Sequence, residues 1–420
     1  MSDECSLSRR DFLRSAGAIG AGSLLAGANV FGQAGDTKPA SQGQQAVEGQ
    51  VVPVPTRPFG DTRADVPILS LGGMFDVLRN QLVLKQAYKW GITCWETAHS
   101  YGNGNSELGM GMYLEANPSH RRDLFLVTKA STRDAAGLTR DFQTSLERLK
   151  TDYVDLYLIH GVAGPDEFTK WAAEWRAWAE KAKAEKKIRF FGFSTHSNMP
   201  ENLQAASKLG YIDGIMTSYN FRIMNTDEMK AAVDACAKAG IGLVAMKSQA
   251  GKSRGATTQT KEEEAELALV DRFVKRGFSD RQAQLKAVWE NPRIATICVL
   301  MQNLTVLQSN YRAALDKTAL SAADKDVLHR YAQATRASYC AGCSRICQTA
   351  SGGLPVSEVM RFLMYYNDYG MTDHARKLFA ELPASIRRQL AQADYWLAQR
   401  RCPQGMAIAE MMRQAAEILA

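Results

Sequence analysis

Beyond its first fifty residues the chain has no segment apolar enough to span a bilayer. It also has no tract of lysine and arginine interleaved with aromatics, so its net charge of +7, spread over 420 residues, does not make a grip for a phosphate backbone. No cysteine follows the N-terminal apolar run, which leaves a lipoprotein anchor without an attachment point. No stable membrane anchor is therefore expected, and no nucleic-acid partner. Charged residues at 23% and hydrophobic residues at 45% are ordinary globular values and exclude a mainly disordered or fibrous chain. That length suits one barrel-sized core with an appendage better than three domains.

The N-terminus carries SRRDFLR from Ser8, with Arg9 and Arg10 followed by Phe12, Leu13 and the glycine-rich run SAGAIGAGSLLAGANVFGQA. This resembles a Tat signal over residues 1–34, cleaved near Ala34. The alternative, a membrane helix, conflicts with the weak hydrophobicity and the absence of a second anchoring pattern. Asp36 to Gln50 is rich in Gln, Gly and Ser, so a flexible linker is expected over residues 35–55. The resemblance implies the Tat export machinery as a partner and a periplasmic or otherwise extracytoplasmic location. It also implies export of a folded chain, often with cofactors installed beforehand, and this bears on how the cysteines are read.

From about residue 66 short apolar runs alternate with longer amphipathic ones, the pattern of repeated βα units. Strands are expected at ILSLGGM from Ile68, TCWETA from Thr93, LFLVTKA from Leu124, YVDLYLIHG from Tyr153, IRFFGFST from Ile188, IDGIMTSY from Ile212, GLVAMKS from Gly242 and ATICVLM from Ala295. Helical patterns lie between them at Leu82 to Trp90, Leu138 to Leu149, Asp166 to Glu185, Asn225 to Ala239 and Asp280 to Glu290. Eight such strands close a (β/α)8 TIM barrel, placed at residues 56–319. The polar stretch Ala250 to Glu264 reads either as a loop over the barrel mouth or as a solvated connection. After Asn310 the pattern is purely helical, and a second unit is expected over residues 320–420.

Glu96, Tyr101, Lys129 and His160 each fall just past an apolar run, where a parallel barrel gathers its chemistry. Reducing a carbonyl needs hydride at carbon and a proton at oxygen. Tyr101 can supply that proton if Lys129 lowers its pKa, while Glu96 holds the lysine and His160 donates to the substrate oxygen. The segments WETAHSYGNGNSELG from Trp95, VTKAS around Lys129, YLIHG around His160, GFSTH from Gly192 and YN at Tyr219 together resemble the aldo/keto reductase family over about residues 58–315. That family's tetrad is Asp, Tyr, Lys and His in this order, so Glu96 is a departure. Glu96→Asp is expected to be tolerated or to raise turnover.

The resemblance implies a small-molecule carbonyl substrate and NADP or NAD as cofactor. Tyr219 would stack on nicotinamide, Ser194 and Thr195 would lie near its carboxamide, and Lys247, Asn303 and Asn310 would meet the phosphates and adenine. At the last strand the family's Pro-Gly is replaced by Val299 and Leu300, and the following MQNL lacks the basic residue expected at a 2'-phosphate. The choice between NADP and NAD is therefore open.

Cys340 and Cys343 form a CxxC, Cys347 follows, and Cys402 precedes Pro403. This resembles the C-terminal ferredoxin-like unit found on some aldo/keto reductases and implies one 4Fe-4S cluster. In two-cluster ferredoxins three cysteines of one motif share a cluster with the Cys-Pro cysteine of the other. The complementary set would need Ser351, Gln392, Tyr395 and Ala398, none of them cysteine. Structural zinc and a pair of disulfides stay open as alternatives. Cys94, Cys236 and Cys298 read as buried apolar residues, and Cys5 leaves with the signal. The whole reads as an exported aldo/keto reductase-type oxidoreductase with a helical iron-sulfur domain. The alternative is a non-catalytic barrel that serves electron transfer or complex assembly with a redox protein partner.

Overall fold

The computed structural model describes residues 51–250 and 260–420. All eight expected apolar runs are strands: β3 (Leu69–Gly72), β4 (Cys94–Glu96), β5 (Phe125–Ala130), β6 (Val154–Ile159), β7 (Ile188–Thr195), β8 (Gly214–Ser218), β9 (Gly242–Met246) and β10 (Ile294–Leu300). They close a parallel barrel in the order β10-β3-β4-β5-β6-β7-β8-β9. Successive residues alternate between two apolar environments. Cys94, Phe125, Val127, Leu156, Leu158, Met216, Val244 and Cys298 fill the barrel. Trp95, Leu126, Tyr157, Phe191, Ile215 and Leu243 pack against the helices outside.

One hairpin was not anticipated. Strands β1 (Thr56–Pro58) and β2 (Asp65–Pro67) pair antiparallel, and Phe59 in the connection between them is fully buried. Its ring fills the space left by Gly214 and Gly242, the first residues of β8 and β9, where a Cβ would come within 2.7 and 2.6 Å of it. The hairpin thus plugs the N-terminal end of the barrel and leaves chemistry to the other end.

The helices α1 (Gln81–Lys89), α3 (Ala135–Leu149), α4 (Asp166–Ala184) and α6 (Asp227–Lys238) follow the expected amphipathic runs, while α2 (Asn105–Ala116) and α5 (Met199–Ala206) were not anticipated. Asp134 caps α3 through Gly137 N–H and buries Leu138, Phe142, Leu146 and Leu149 behind it. The expected loop from Ala250 to Glu264 is shorter than anticipated: α7 already starts at Thr260 and runs to Val274, because the Glu-rich, Ala- and Leu-containing stretch is strongly helix-forming. Residues 251–259 lie outside the described residues, as do residues 1–50 with the Tat-like segment, Cys5 and most of the linker. Helices α8 (Asp280–Trp289) and α9 (Leu304–Leu315) complete the ring.

The packing changes character later than residue 320. Helix α10 (Ala322–Ala334) buries Leu328 and Tyr331 with Phe221, Leu269 and Phe273 on the barrel side. A separate apolar core belongs to α11 (Ser344–Ala350), α12 (Val356–Asn367), α13 (Thr372–Glu381), α14 (Ala384–Gln392), α15 (Trp396–Arg401) and α16 (Ile408–Ile418), with Val359, Leu363, Phe379, Leu390 and Met412 inside. These helices are stitched to loops at the C-terminal end of the barrel. Asn198, after β7, bonds Gly342 O (2.8 Å) and Ser344 Oγ (2.7 Å). Asn220, after β8, donates to Tyr339 Oη (2.8 Å), and Lys377 meets Asn103 after β4. The appended helices therefore cap the barrel mouth. Among the described residues no helix is long and apolar enough to cross a membrane.

Candidate active site and cysteine cluster

The alternation of the strands decides which side chains reach the mouth. Glu96 ends β4 with the parity of Cys94, Lys129 has that of Val127 on β5, and His160 that of Leu158 just past β6. All three face inward. Tyr101 starts a tight turn in which Gly102, Asn103 and Gly104 all take positive φ (56°, 57° and 93°), folding its ring back over the mouth.

The Lys129 ammonium is in contact with Glu96 Oε1 and donates to Thr97 O (2.8 Å). Tyr101 Oη donates to the same Glu96 oxygen (3.3 Å), the Lys129 Nζ lies 4.5 Å from the Tyr101 ring centre, and the His160 ring stands edge-on to that ring at 5.9 Å. The four predicted residues thus form one cluster. His160 Nδ1 is buried without a hydrogen-bond partner among the described residues. Its turn is fixed by Arg133, which donates to His160 O (3.1 Å), and by Ser194 Oγ, which accepts from Gly161 N–H (3.0 Å).

Burial raises the Tyr101 phenol well above 10, and the neighbouring Tyr365 and Cys298 add to it. The expected lowering by Lys129 is not found, because Lys129 spends its charge on Glu96 and lies over the ring, not at the hydroxyl. Burial pulls Lys129 down to about 7, with Cys298 acting in the opposite sense. Burial, then Lys129 and Arg361, hold His160 well below 6.5, so its imidazole is neutral.

Glu96 uses its extra methylene. Its Oε1 serves Lys129 and Tyr101, while Oε2 faces Gly73 N–H (3.4 Å) and Cys298 Sγ (3.7 Å). A shorter acid would give up one of these sides, which revises the expectation that Glu96→Asp is harmless. Cys298 is correspondingly more than apolar filling. Because the pair is almost fully buried (side chains 2% and 5% exposed), Glu96→Gln strands a buried ammonium. It is expected to lower folding stability by about 3–5 kcal/mol, read from the denaturant midpoint. An unchanged midpoint would show that the pair carries no such weight.

A cavity of about 320 Å³ lies beside this cluster, between the mouth and the capping helices, with Ser218, Lys247, Gln249, Arg281, Gln302 and Arg361 among its lining residues. It is within the size range of ligand pockets. Behind the lining residue Gln249, Asn310 Oδ1 accepts from Gln249 Nε2 (3.1 Å), and Asn310 Nδ2 is buried without a partner among the described residues. These residues fit a nucleotide. Lys247 reaches the cavity because a φ of 55° breaks the strand alternation at that point.

Three cofactor expectations fail on geometry. Tyr219 has the outward parity of Ile215, and its hydroxyl is bonded by Asn291 Nδ2 (2.8 Å) on the far side; Ser218 faces the cavity in its place. Thr195 also points outward, with its hydroxyl tied to Val162 O (2.8 Å) and Asn202 Nδ2 (3.0 Å). Asn303 is the N-cap of α9, its oxygen taken by Val306 N–H (2.9 Å). Ser194 is inward but committed to Gly161.

The profile of the aldo/keto reductase family matches residues 75–313, more than half of the chain. The chain belongs to the aldo/keto reductase family. Among its relatives, an aldo-keto reductase of Mycobacterium tuberculosis is 30% identical over 172 residues, which are 40% of this chain and 58% of that protein. This chain thus spans little more than half the length of that relative. The oxidoreductase YqkF of Bacillus subtilis is 26% identical over 285 residues, 61% of this chain and 90% of that protein. The solved aldo-keto reductase AKR11C1 of Bacillus halodurans, in its holo form, superposes with a TM-score of 0.55 at 21% identity, covering 66% of this chain and 96% of that one. That likeness speaks for the fold.

The appended helices bring the remaining cysteines together. Cys340, Cys343, Cys347 and Cys402 all line one small cavity of about 20 Å³. None is in a disulfide, which leaves the disulfide alternative without a pair among the described residues. Burial, and then the neighbouring thiols, push Cys343 up to about 12 and Cys347 to about 11. Thiols raised in this way ionise only with a cationic group to hold them, and a donor set of four sulfurs facing one apolar pocket fits a thiolate-ligated centre. Among the described residues no three His, Cys, Asp or Glu side chains are gathered tightly enough for a single metal ion. Cys94, Cys236 and Cys298 are buried, as expected.

Sequence reasoning missed His196, whose Nδ1 lies 3.2 Å from Ser218 Oγ, and the contributions of Arg361 and Tyr365 from α12. The GFSTH segment pointed at the first; nothing in the sequence pointed at the others.

Proposed function

We propose that this aldo/keto reductase is an NAD(P)H-dependent oxidoreductase that reduces a small carbonyl compound, or oxidises the matching alcohol. In this reading it carries one 4Fe-4S cluster on Cys340, Cys343, Cys347 and Cys402. The observation that carries the enzymatic reading is the convergence of Tyr101, Lys129, Glu96 and His160 at the mouth. A nicotinamide in the adjoining cavity would supply hydride, with Ser218, Lys247, Gln249 and Asn310 as holding residues. Tyr101 gives its proton to the carbonyl oxygen, and the neutral His160 orients that oxygen. Glu96 keeps Lys129 beneath the phenol.

The cluster reading is supported by the shared cavity of the four cysteines. Zinc would draw four sulfurs to within roughly 4 Å of one another around one ion. A larger cubane holds them further apart, so the iron, sulfide and zinc content of the purified protein tells the two apart. Export through Tat to the periplasm rests on Arg9 and Arg10 in the sequence and is part of the same proposal.

The enzymatic reading is tested with cluster-loaded protein by nucleotide fluorescence quenching and by carbonyl-dependent NADPH or NADH oxidation. Since Tyr101 stays protonated past 10 and His160 stays neutral below 6.5, kcat/KM for reduction is expected to be flat between these values and to fall only above pH 10. A break near 7 would show Lys129 titrating without help from Glu96. Absence of nucleotide binding would favour the non-catalytic barrel, which the outward Tyr219 also favours.

A further inference from the structure

The capping helices place an arginine over the barrel mouth, and its bonding is incomplete. Arg361, on α12, lines the 320 Å³ cavity together with His196, Ser218 and Lys247. One guanidinium nitrogen, Nη2, donates to Glu358 (3.1 Å), whose side chain is 47% exposed. The Nε is buried and has no partner among the described residues. A buried N–H of a charged group left unmade is an expensive feature, and it points at something the protein itself does not provide.

The surroundings are rich in basic side chains. Lys247, Arg281 and Arg361 line the cavity, against the single carboxylate of Asp368 among the described lining residues, and Asp368 is already engaged within the protein. Lys247 makes no ion pair among the described residues; burial, then the Arg361 charge, holds it well below its usual pKa, and its Nζ lies 5.4 Å from the Tyr365 ring centre. Arg281 is anchored to Gln249 O (2.8 Å) at the nucleotide end. Behind burial, the Arg361 charge also acts on Tyr101, His160, His196 and Lys247, so the guanidinium stands within electrostatic reach of the reacting groups.

Taking the proposed carbonyl reduction as given, we infer that Arg361, with Lys247 beside it, receives an oxyanion of the substrate, so that the preferred substrates are oxo compounds bearing a carboxylate or phosphate. A carboxylate on the Nε–H makes a charge-assisted hydrogen bond in a partly desolvated site, the setting where such bonds discriminate most. Its charge also offsets that of Arg361, which disfavours the protonated form of Lys247. The same chemistry could come from the phosphates of the nucleotide, and the test separates the two sources.

The full cluster-loaded chain is compared with 4-carboxybenzaldehyde and 4-methylbenzaldehyde, which are alike in shape and differ in charge. Wild type is expected to prefer the carboxylate in kcat/KM. Arg361→Gln is expected to cut that preference by about 10- to 100-fold, mainly through KM, and Arg361→Lys to recover part of it. NADPH affinity, from fluorescence quenching, should move less than about threefold, within what an unlost bond allows. A separate arm needs no turnover: calorimetric binding of terephthalate to wild type, expected to be lost in Arg361→Gln. Terephthalate binding without aldehyde reduction would sink the proposed reaction yet keep the oxyanion site. An unchanged carboxylate preference in both variants overturns the inference, and so does weakened NADPH binding with the preference intact, which would assign Arg361 to the nucleotide phosphates.

Discussion

Tyr101→Phe is expected to lower carbonyl reduction by about 10²- to 10⁴-fold while nucleotide affinity stays near that of the parent. The substitution keeps the ring that covers Lys129 and meets His160 edge-on, and removes only the hydroxyl that donates to Glu96. The loss should fall on kcat, because proton donation is made in the transition state. It should also be the same for every aldehyde tested, since the hydroxyl serves the carbonyl oxygen common to all. Steady-state rates alongside fluorescence titration of the nucleotide check both halves. Parent-like turnover in the mutant would remove Tyr101 from the mechanism and turn attention to His160 or an unassigned donor.

Much of this site was legible because strand alternation and tetrad spacing are local properties. Glu96, Lys129 and His160 share inward parity with the apolar residues two positions earlier, and that could be counted in the sequence. The same rule, applied to the later strands, would have corrected two assignments: Tyr219 and Thr195 have the parity of Ile215 and Phe193, which pack outside. Lys247 escapes such counting because a single left-handed residue reverses its direction. Asn303 was misjudged because an Asn ahead of a helix is first of all a cap.

The capping contributions were not legible at all. Arg361 and Tyr365 reach the site from a helix about two hundred residues downstream of His160, through packing between two separate apolar cores that no local pattern encodes. Their position matters chemically: behind burial, Tyr365 raises the Tyr101 phenol while Arg361 acts in the opposite sense, and Arg361 adds to the burial that leaves the imidazole neutral. The Phe59 plug was hidden for a related reason, since its partners Gly214 and Gly242 lie far along the chain.

Cys402→Ser is expected to bleach or destabilise the chromophore of protein purified without oxygen, which in the parent should be brown with about four irons and four sulfides per chain. Cys402 lies at the end of α15, fifty-five residues after Cys347 by sequence numbering, yet it lines the same cavity as the other three. The return of the chain to that cavity is what the last ligand would secure. Losing it should therefore also loosen the helices between Val356 and Met412, seen as faster amide exchange there, because metal binding and folding of such units are coupled. Cys94→Ser, by contrast, changes a buried thiol of the barrel interior and should leave the colour intact. A colourless parent holding one zinc, or a chromophore indifferent to Cys402, would overturn the cluster assignment. The four cysteines would then be a structural clasp for the cap, and Arg361 would still be held over the mouth by α12.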